Sequence, residues 1–404
     1  MKQKNIVVAN DLGYGNLKMT VDDERILQPT VISPIEQDIE DAIDHTDQNA
    51  VRNTIHNLLN EMNVEIDGKH YLVGKAAQNS TIDRISTDLN SRSRKAHMPA
   101  AKMVPLSTIA AKVVQHAYEE GEDIFSPLTA NVVMATSLPI EDIENNPADR
   151  EFYRGLFINN NHIIVFKNFD YKISVTINFK DVQVYKEGEV AAAIAIKYAD
   201  ENLKKYIKGY LNKKYPTIDK TKLLNDSNKD SLAIDVGFET TEFSLIINGK
   251  SDAFNSLSIS NGYGDVLSSA WRYLPKVSQG YTVKDVIAFE KLLNSQPSSE
   301  IEEENKEFAL KAESTATPSL IRNIISSFNR ILSTTDHLDV IYVFGGGSIP
   351  LMEKTDFEKQ LKNSLKTYRS SATIVWLGED YSSIANELGL EILAKALDKS
   401  LNKK

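Results

Sequence analysis

The chain has 404 residues, of which 41% are hydrophobic and 25% are charged, so it is long enough for two packed globular domains. A formal net charge of -10 argues against a broad basic surface that binds nucleic acid directly, because such binding depends on lysine and arginine displacing counterions. The absence of cysteine excludes disulfides and thiolate metal sites, and the seven histidines lack the spacing of a zinc site.

The first half of the chain opens with a predicted strand, tight turn and strand at "NIVVANDLGYGNLKMT". A short strand is predicted at residues 30–33, and residues 36–100 are polar and weakly periodic, which indicates an inserted subdomain. Helical spacing returns at residues 106–120, and the buried strand "TANVVMATSLPI" follows. Two alternating strands then lead into the small-residue helix "EVAAAIAIKYADENLKKYIKGYL".

The second half repeats the opening pattern. Polar residues 212–230 indicate a linker, and "SLAIDVGFETTEFSLIINGK" after them is again a strand, an Asp-x-Gly turn and a strand. A polar, mostly helical insertion at residues 279–314 precedes the helix "PSLIRNIISSFNRILSTT", the strands "DVIYVFGGGS" and "ATIVWLG", and a terminal helix. Strands that alternate with helices predict an α/β architecture.

The first predicted turn carries a set of residues suited to phosphate. Gly13 and Gly15 let backbone N–H groups approach phosphate oxygens, and Lys18 adds a cation. Asp11, at the strand end, suits a hydrated Mg²⁺ ion. Taken alone, a surface hairpin without a ligand is an equally good interpretation.

The second predicted turn strengthens the phosphate interpretation. Asp235, Gly237, Thr240 and Thr241 repeat the order of strand, acid, glycine and turn, with hydroxyl groups near the place of Asn16. Two such hairpins predict a clamp for a triphosphate and its metal ion, one hairpin from each half of the chain.

A third glycine-rich element follows the strand "VIYVF". Gly345, Gly346 and Gly347 let the backbone lie against a planar group or a sugar, and a helix is predicted to begin after Ser348. By itself this is consistent with a sharp strand-to-helix turn. Together with the two hairpins it indicates a nucleoside site.

The order of these motifs resembles that of the actin/Hsp70/sugar-kinase ATPase superfamily over nearly the whole chain. The segments "NDLGYGNLK", "QPTVIS", "YLVGKAA", "ATSLP", "YKEGEVAAA", "IDVGFETTEFS" and "VFGGGS" are most similar to the bacterial actin-like proteins that segregate plasmids, the ParM-type family. The resemblance implies an actin-like ATPase fold with two related α/β domains around a nucleotide cleft, each carrying an inserted subdomain.

The resemblance also implies domain boundaries. Domain I would span residues 1–211, with its insertion at about 36–100, and domain II would span residues 231–385, with its insertion at about 279–314. The C-terminal helix, residues 386–404, would return to domain I.

The resemblance further implies a role for each motif residue. Glu187 would orient or polarise the attacking water, with Glu189 as the alternative, and Asp11 and Asp235 would lie near Mg²⁺. The phosphates would be bound by Asp11, Gly13, Tyr14, Gly15, Asn16, Lys18, Gly237, Thr240 and Thr241, and adenosine by Gly345, Gly346, Gly347 and Ser348. Two residues depart from the family pattern: Glu242 replaces an Asp that is common there, and Gly188 a frequent Pro.

The resemblance implies an ATPase that polymerises with ATP and Mg²⁺, with GTP left open as a substitute. The filament would move plasmid DNA through a DNA-binding adaptor protein on a centromere-like DNA site, without direct contact to nucleic acid or membrane. A small-molecule kinase of the same superfamily and a cytoskeletal scaffold with little turnover are the alternatives. We expect a cytoplasmic protein, since no apolar segment is long enough to cross a bilayer.

Three charged segments lie outside these motifs. "SSEIEEENKE" and "KKYIKGYLNKK" are typical of solvated helix faces, although their opposite signs also allow pairing between subunits. The basic residues of "SRSRKAHMPAAK" indicate either a mobile loop or a contact with a partner.

Overall fold

The computed structural model describes residues 3–36, 42–85, 94–158, 160–217 and 229–402. The chain divides into two compact units: unit 1 comprises Met1–Ala195 with Asn386–Lys404, and unit 2 comprises Ile196–Ala385. Within the ranges described, none of the helices combines the length and the apolar character needed to span a membrane.

Unit 1 is built on a nine-stranded sheet. In chain order its strands are β1 Gln3–Leu12, β2 Asn16–Val21, β3 Glu24–Pro29, β4 Ile32–Ile35, β5 Asn63–Ile66, β6 Lys69–Val73, β7 Leu128–Leu138, β8 Asn161–Phe166 and β9 Ile173–Lys186. Their spatial order is β3-β2-β1-β7-β9-β8-β5-β6-β4. β1 is antiparallel to β2 but parallel to β7, and β7 is parallel to β9, so β1, β7 and β9 end at the same edge of the sheet.

Unit 2 repeats part of this topology in a six-stranded sheet. Its strands are β10 Ser231–Val236, β11 Thr241–Ile247, β12 Lys250–Ser251, β13 Leu257–Ile259, β14 Val340–Phe344 and β15 Thr373–Trp376. The order β12-β11-β10-β14-β15 matches β3-β2-β1-β7-β9, because an antiparallel hairpin is again followed by two parallel neighbours. The predicted α/β fold class is confirmed, and the shared strand pattern explains the sequence repeat.

Helices cover the sheets of both units. They are α1 Gln48–Asn57, α2 Lys75–Asn79, α3 Ala100–Glu119, α4 Ile140–Asn145, α5 Ala148–Gly155, α6 Glu201–Lys214, α7 Tyr263–Val277, α8 Val286–Leu293, α9 Glu300–Thr334, α10 Ser348–Lys354, α11 Phe357–Thr367, α12 Gly378–Ser382 and α13 Ala385–Leu401. In unit 2, apolar side chains of α9 and α11 form one core with β10, β11 and β14.

The segment predicted as an insertion at residues 36–100 is part of the unit 1 sheet where it is described. β5 and β6 form a hairpin, and β5 pairs with β8. Asp67 and Gly68 both have positive φ at the tip of this hairpin, at 53° and 73°. On β6, exposed or partly exposed residues alternate with the buried Tyr71 and Val73, as expected for a strand with one face in the core.

The helices differ from the sequence prediction most clearly after β9 and around Pro318. The helix predicted from Glu189 onward is interrupted, because Ala191–Ala195 is a π-helical turn and α6 begins only at Glu201. The side chain of Asp200 accepts a hydrogen bond from the backbone N–H of Leu203 and so starts α6. By contrast, α9 runs unbroken for 35 residues through Pro318, where the sequence indicated a new helix.

Candidate functional site

The two glycine hairpins have the same local geometry. The backbone N–H of Gly13 donates to the carbonyl of Asn16 at 3.0 Å, and that of Gly237 donates to the carbonyl of Thr240 at 2.9 Å. A Cβ atom would lie 2.6 Å from the carbonyl oxygen of Asn16 at the first glycine and 2.9 Å from that of Thr240 at the second. Each turn therefore requires glycine at this position, which explains why both copies of the sequence motif have a glycine there.

The predicted metal ligands lie at equivalent places in the two sheets. Asp11 is 4% exposed near the end of β1, and Asp235 is 6% exposed near the end of β10. Across the hairpin, Asp11 faces Lys18, whose Nζ lies 3.5 Å from Asp11 Oδ2, whereas Asp235 faces Glu242. Carboxylate oxygens are ligands that Mg²⁺ accepts, so the donor chemistry of both aspartates fits that ion.

Further contacts fix the two turns. The Thr30 hydroxyl donates to the carbonyl of Gly13 at 2.7 Å, and the Thr30 N–H donates to that of Gly15. In the second turn the Thr241 hydroxyl donates to the carbonyl of Asn261 at 2.8 Å, so its proton is already engaged within the protein. Among the other residues predicted to bind phosphate, Tyr14 is buried, Gly15 and Thr240 are partly exposed, and Asn16 is exposed.

The predicted catalytic residue, Glu187, follows β9 directly. Its backbone N–H donates to the carbonyl of Leu138 at 2.9 Å, which places it beside the end of β7 and at the same sheet edge as Asp11. Gly188 has a φ of 69°, a value that proline does not adopt, so the departure from the family pattern has a conformational reason. The alternative residue, Glu189, is partly exposed.

Sequence reasoning missed a buried cation in this site. Lys95 is 1% exposed, its amine pairs with the Glu187 carboxylate, and its Nζ lies 5.0 Å from the centre of the Tyr14 ring. Burial opposes the charge of Lys95, but the carboxylates of Glu187 and Asp11 outweigh it and raise the lysine pKa above its ordinary value. Lys95 therefore does not belong to an exposed basic patch; residues 91–93 of that patch lie outside the described residues.

A buried polar network joins the ends of β1 and β7 next to this cluster. Asn10 Nδ2 donates to the Thr136 hydroxyl at 3.0 Å and lies 3.4 Å from the Tyr153 hydroxyl. Burial raises the pKa of Tyr153 to about 12, so this phenol stays protonated at neutral pH. The network holds the two strand ends in register beneath the first hairpin.

The glycine loop after β14 packs against the end of β10. Gly345 has a φ of 86°, and a Cβ atom there would lie 2.3 Å from Asp235 Oδ1 and 2.4 Å from the carbonyl oxygen of Val236. At Gly346, by contrast, nothing beyond its chain neighbours lies within 4 Å of the place that a Cβ atom would occupy. Ser348 is fully buried, and its hydroxyl accepts from the Trp376 indole at 3.3 Å. The open side of this loop is therefore at Gly346.

A cavity of about 530 Å³ lies in unit 2 beside the glycine loop. Tyr263 connects the two, because it lines the cavity and a Cβ atom on Gly347 would lie 2.8 Å from its Cβ. The buried Glu313 carboxylate accepts from the Tyr263 hydroxyl, and Lys354 Nζ lies 3.9 Å from it. This volume, with a few polar groups on its wall, suits one small organic ligand.

Comparison with known families and sequences gives one match and one negative result. Residues 9–189 match the family model described as the N-terminal domain of actin like proteins. No curated protein matches the sequence.

Solved structures match almost the whole chain. A non-polymerisable quadruple mutant of pCBH ParM is 18% identical, with a TM-score of 0.59 over 97% of this chain and 100% of that chain. The archaeal actin homolog Ta0583 is 20% identical, with a TM-score of 0.59 over 97% of this chain and 99% of that chain, and its complex with ADP is also similar, at a TM-score of 0.57. A 15-stranded ParM filament from Clostridium botulinum is 19% identical, with a TM-score of 0.57 over 98% of this chain and 100% of that chain.

Proposed function

We propose that the protein is an ATPase that polymerises into filaments with ATP and Mg²⁺. The premise is that residues 9–189 match the model of an actin-like protein N-terminal domain and that the chain has an actin-like fold. The observation that carries the proposal is the edge of the unit 1 sheet where β1, β7 and β9 end. Asp11, the glycine hairpin and Glu187 all lie there, and in α/β sheets ligands bind at the carboxyl ends of parallel strands.

Phosphate binding is assigned to the hairpins. Gly13, Gly15 and Gly237 let backbone N–H groups approach phosphate oxygens, and Lys18 supplies a positive charge. Tyr14, Asn16, Thr240 and Thr241 complete the proposed set. Asp11 and Asp235 would hold Mg²⁺ through its waters, and the bound ion would neutralise charge on the phosphates.

Hydrolysis is assigned to Glu187. A carboxylate near the γ-phosphate accepts a hydrogen bond from water and so holds it for attack, while phosphoryl transfer needs little covalent chemistry from the protein. Burial and the contact with Lys95 restrict the positions that this carboxylate adopts. Glu189 remains the alternative residue for this role.

The nucleoside is assigned to unit 2. The proposed adenosine residues are Gly345, Gly346, Gly347 and Ser348. Of these, Gly347 packs against Tyr263, which with Glu313 lines a cavity whose size accommodates a purine nucleoside. The Glu313 carboxylate accepts hydrogen bonds, and the exocyclic amines of both adenine and guanine donate them. ATP is the proposed nucleotide, with GTP as the alternative.

Filament formation is supported by the matching structures, one of which is a ParM filament. In such a filament each subunit would contact the next through two different surfaces, which gives an open polymer. A net charge of -10 makes direct DNA binding unfavourable, so plasmid movement would require a DNA-binding adaptor on a centromere-like site. The filament would act in the cytoplasm.

Phosphate release and light scattering, both measured after ATP and Mg²⁺ are added, test this function. We expect both signals to rise. Scattering without phosphate release would instead indicate a scaffold with little turnover, and neither signal without an added acceptor would indicate a small-molecule kinase. Either result would contradict the proposal, and repeating the assay with GTP determines the nucleotide preference.

A further inference from the structure

We propose that Lys95 is a positioning residue for ATP hydrolysis, which acts by holding the Glu187 carboxylate in place. The inference rests on the proposed function, because it assigns a partner to the residue that would orient the attacking water. Neither the glycine motifs nor the actin-like resemblance pointed to Lys95. Its role follows from two features: the charge environment of its buried amine and the anchoring of the turn that carries it.

The first feature is the charge environment. A lysine that is 1% exposed is stable as a cation only if its charge is compensated, and here the amine contacts Glu187 and also lies in the field of Asp11. The Tyr14 ring covers the amine at 5.0 Å. The ammonium group is therefore confined between the proposed catalytic carboxylate and the first phosphate hairpin.

The second feature is the anchoring of the turn that carries Lys95. The Lys95 backbone N–H donates to Asp142 Oδ2 at 3.1 Å, on α4. The adjacent Arg94 guanidinium donates to both carboxylate oxygens of Asp149, at 2.8 and 2.9 Å, on α5. These two helices follow β7 directly, so the position of the turn is tied to the strand end beside Glu187.

A second anchor on the same turn involves His97. Its ring stacks on that of Phe152 with centroids 4.3 Å apart, and its Nε2 lies 3.0 Å from Asp149 Oδ1. Together with the contacts of Arg94, this leaves the turn few alternative positions. A cation held so firmly restricts its carboxylate partner, and a misplacement of about 1 Å at a reacting group costs up to about 100-fold in rate.

The test compares ATP hydrolysis by Lys95→Met, Glu187→Gln and the double variant, with phosphate release measured over a range of ATP concentrations. We expect Lys95→Met to lower kcat about 10- to 100-fold with a change in KM below about threefold. If Lys95 acts through Glu187, the double variant hydrolyses ATP no more slowly than Glu187→Gln alone. Lys95→Arg keeps the charge and should recover part of the rate.

Lys112→Met is the matched control. Lys112 is also a buried lysine of unit 1, and its Nζ pairs with Glu24 Oε2 at 2.6 Å, but neither residue belongs to the proposed site. Its kcat should equal that of the wild type. If Lys95→Met fails to fold because Glu187 is left buried without its cation, the double variant lacks both charges and is still compared with Glu187→Gln.

The outcomes separate the inference from the function on which it rests. No phosphate release by the wild type overturns the proposed ATPase and the role of Lys95 with it. Release by Lys95→Met at the rate of Lys112→Met overturns the role of Lys95 alone. A further loss when Lys95→Met is added to Glu187→Gln also overturns it, because Lys95 would then act on the nucleotide directly.

Discussion

Gly345 occupies a position that no other residue type fits. Its φ of 86° is in the region that side chains with a Cβ rarely adopt, and the missing atom would collide with Asp235 and Val236. We expect Gly345→Ala to lower the free energy of unfolding by at least about 2 kcal/mol, since backbone strain and a steric clash add. Urea denaturation followed by circular dichroism measures this change.

Gly346→Ala is the control for this prediction. A Cβ atom added at Gly346 would meet nothing within 4 Å beyond its chain neighbours, and the φ of this residue is not in the left-handed region. Its free energy of unfolding should stay within about 0.5 kcal/mol of the wild type. Equal destabilisation by both alanine variants would show that the loop is sensitive to a side chain at either position. The explanation by a clash between a Cβ atom at Gly345 and Asp235 would then be wrong.

Substitution of Glu187 and substitution of Glu189 are expected to have different effects on ATP hydrolysis. Glu187→Gln keeps the size of the side chain but removes its charge, so phosphate release should fall at least about 100-fold while ATP-dependent light scattering remains. Glu189→Gln should hydrolyse ATP like the wild type, because Glu189 is partly exposed and lies beyond the sheet edge. If Glu189→Gln loses hydrolysis and Glu187→Gln keeps it, the two roles must be exchanged.

The individual site residues were predictable from the sequence to different degrees. The hairpin residues around Gly13 and Gly237 were predictable, because strand, acid, glycine and turn are neighbours in the chain and their geometry is local. The role of Lys95 was not predictable from the sequence, because its partner Glu187 is 92 residues away and only the fold brings the two side chains together. The engaged hydroxyl of Thr241 was likewise not predictable, because it depends on Asn261 beyond the end of β11.

The buried Glu387 side chain connects helix α13 to the unit 1 sheet. Glu387 is fully buried and accepts hydrogen bonds from Thr20 and from Arg25 Nε, while Leu390 packs in an apolar cluster with Ala9. Burial raises the pKa of Glu387 above 4.5, and the two hydrogen bonds only partly oppose this effect. The charged form of this side chain is therefore less favourable in the folded state than in the unfolded chain.

This imbalance predicts a pH dependence of stability. Because the folded state binds the Glu387 proton more tightly, the contribution of Glu387 to the free energy of unfolding falls as pH rises from about 4.5 through its raised folded pKa. Glu387→Gln does not titrate and lacks this fall. We therefore expect the free energy of unfolding of Glu387→Gln to rise relative to that of the wild type as pH rises. Urea denaturation of both proteins at several pH values measures this difference. A difference that is independent of pH would contradict the raised pKa.

Helix boundaries were less predictable than strands. The strands β7, β9, β10 and β14 follow from apolar runs bounded by turns, and they lie where the sequence indicates them. Pro318 indicated a helix start, but α9 continues through it. The reason is packing: Ala309 and Ala312 before the proline and Leu320 after it are all buried, so apolar contacts on both sides offset one lost hydrogen bond.

The net charge of the whole chain bears on the proposed self-assembly. Each chain carries a formal charge of -10, so the subunits of the proposed filament would repel one another as they associate. Salt screens this repulsion, since the Debye length falls from about 30 Å at 0.01 M to about 8 Å at 0.15 M ionic strength. The critical concentration for ATP-dependent assembly, measured by light scattering or sedimentation, should therefore fall as potassium chloride is raised over this range.

The opposite dependence on salt would indicate attraction between charged surfaces of neighbouring subunits. A critical concentration that rises with salt would mean that oppositely charged surfaces attract at the subunit contact and outweigh the net repulsion. The two candidate surfaces are the acidic start of α9, with Glu302, Glu303 and Glu304, and the basic end of α6, with Lys213 and Lys214. Of these, Lys214 already pairs with Glu358 at 2.8 Å within unit 2, which leaves less of its charge for a neighbouring subunit. Repulsion is therefore expected to dominate, and Lys213→Glu, which makes the net charge more negative without removing that pair, should raise the critical concentration at low salt.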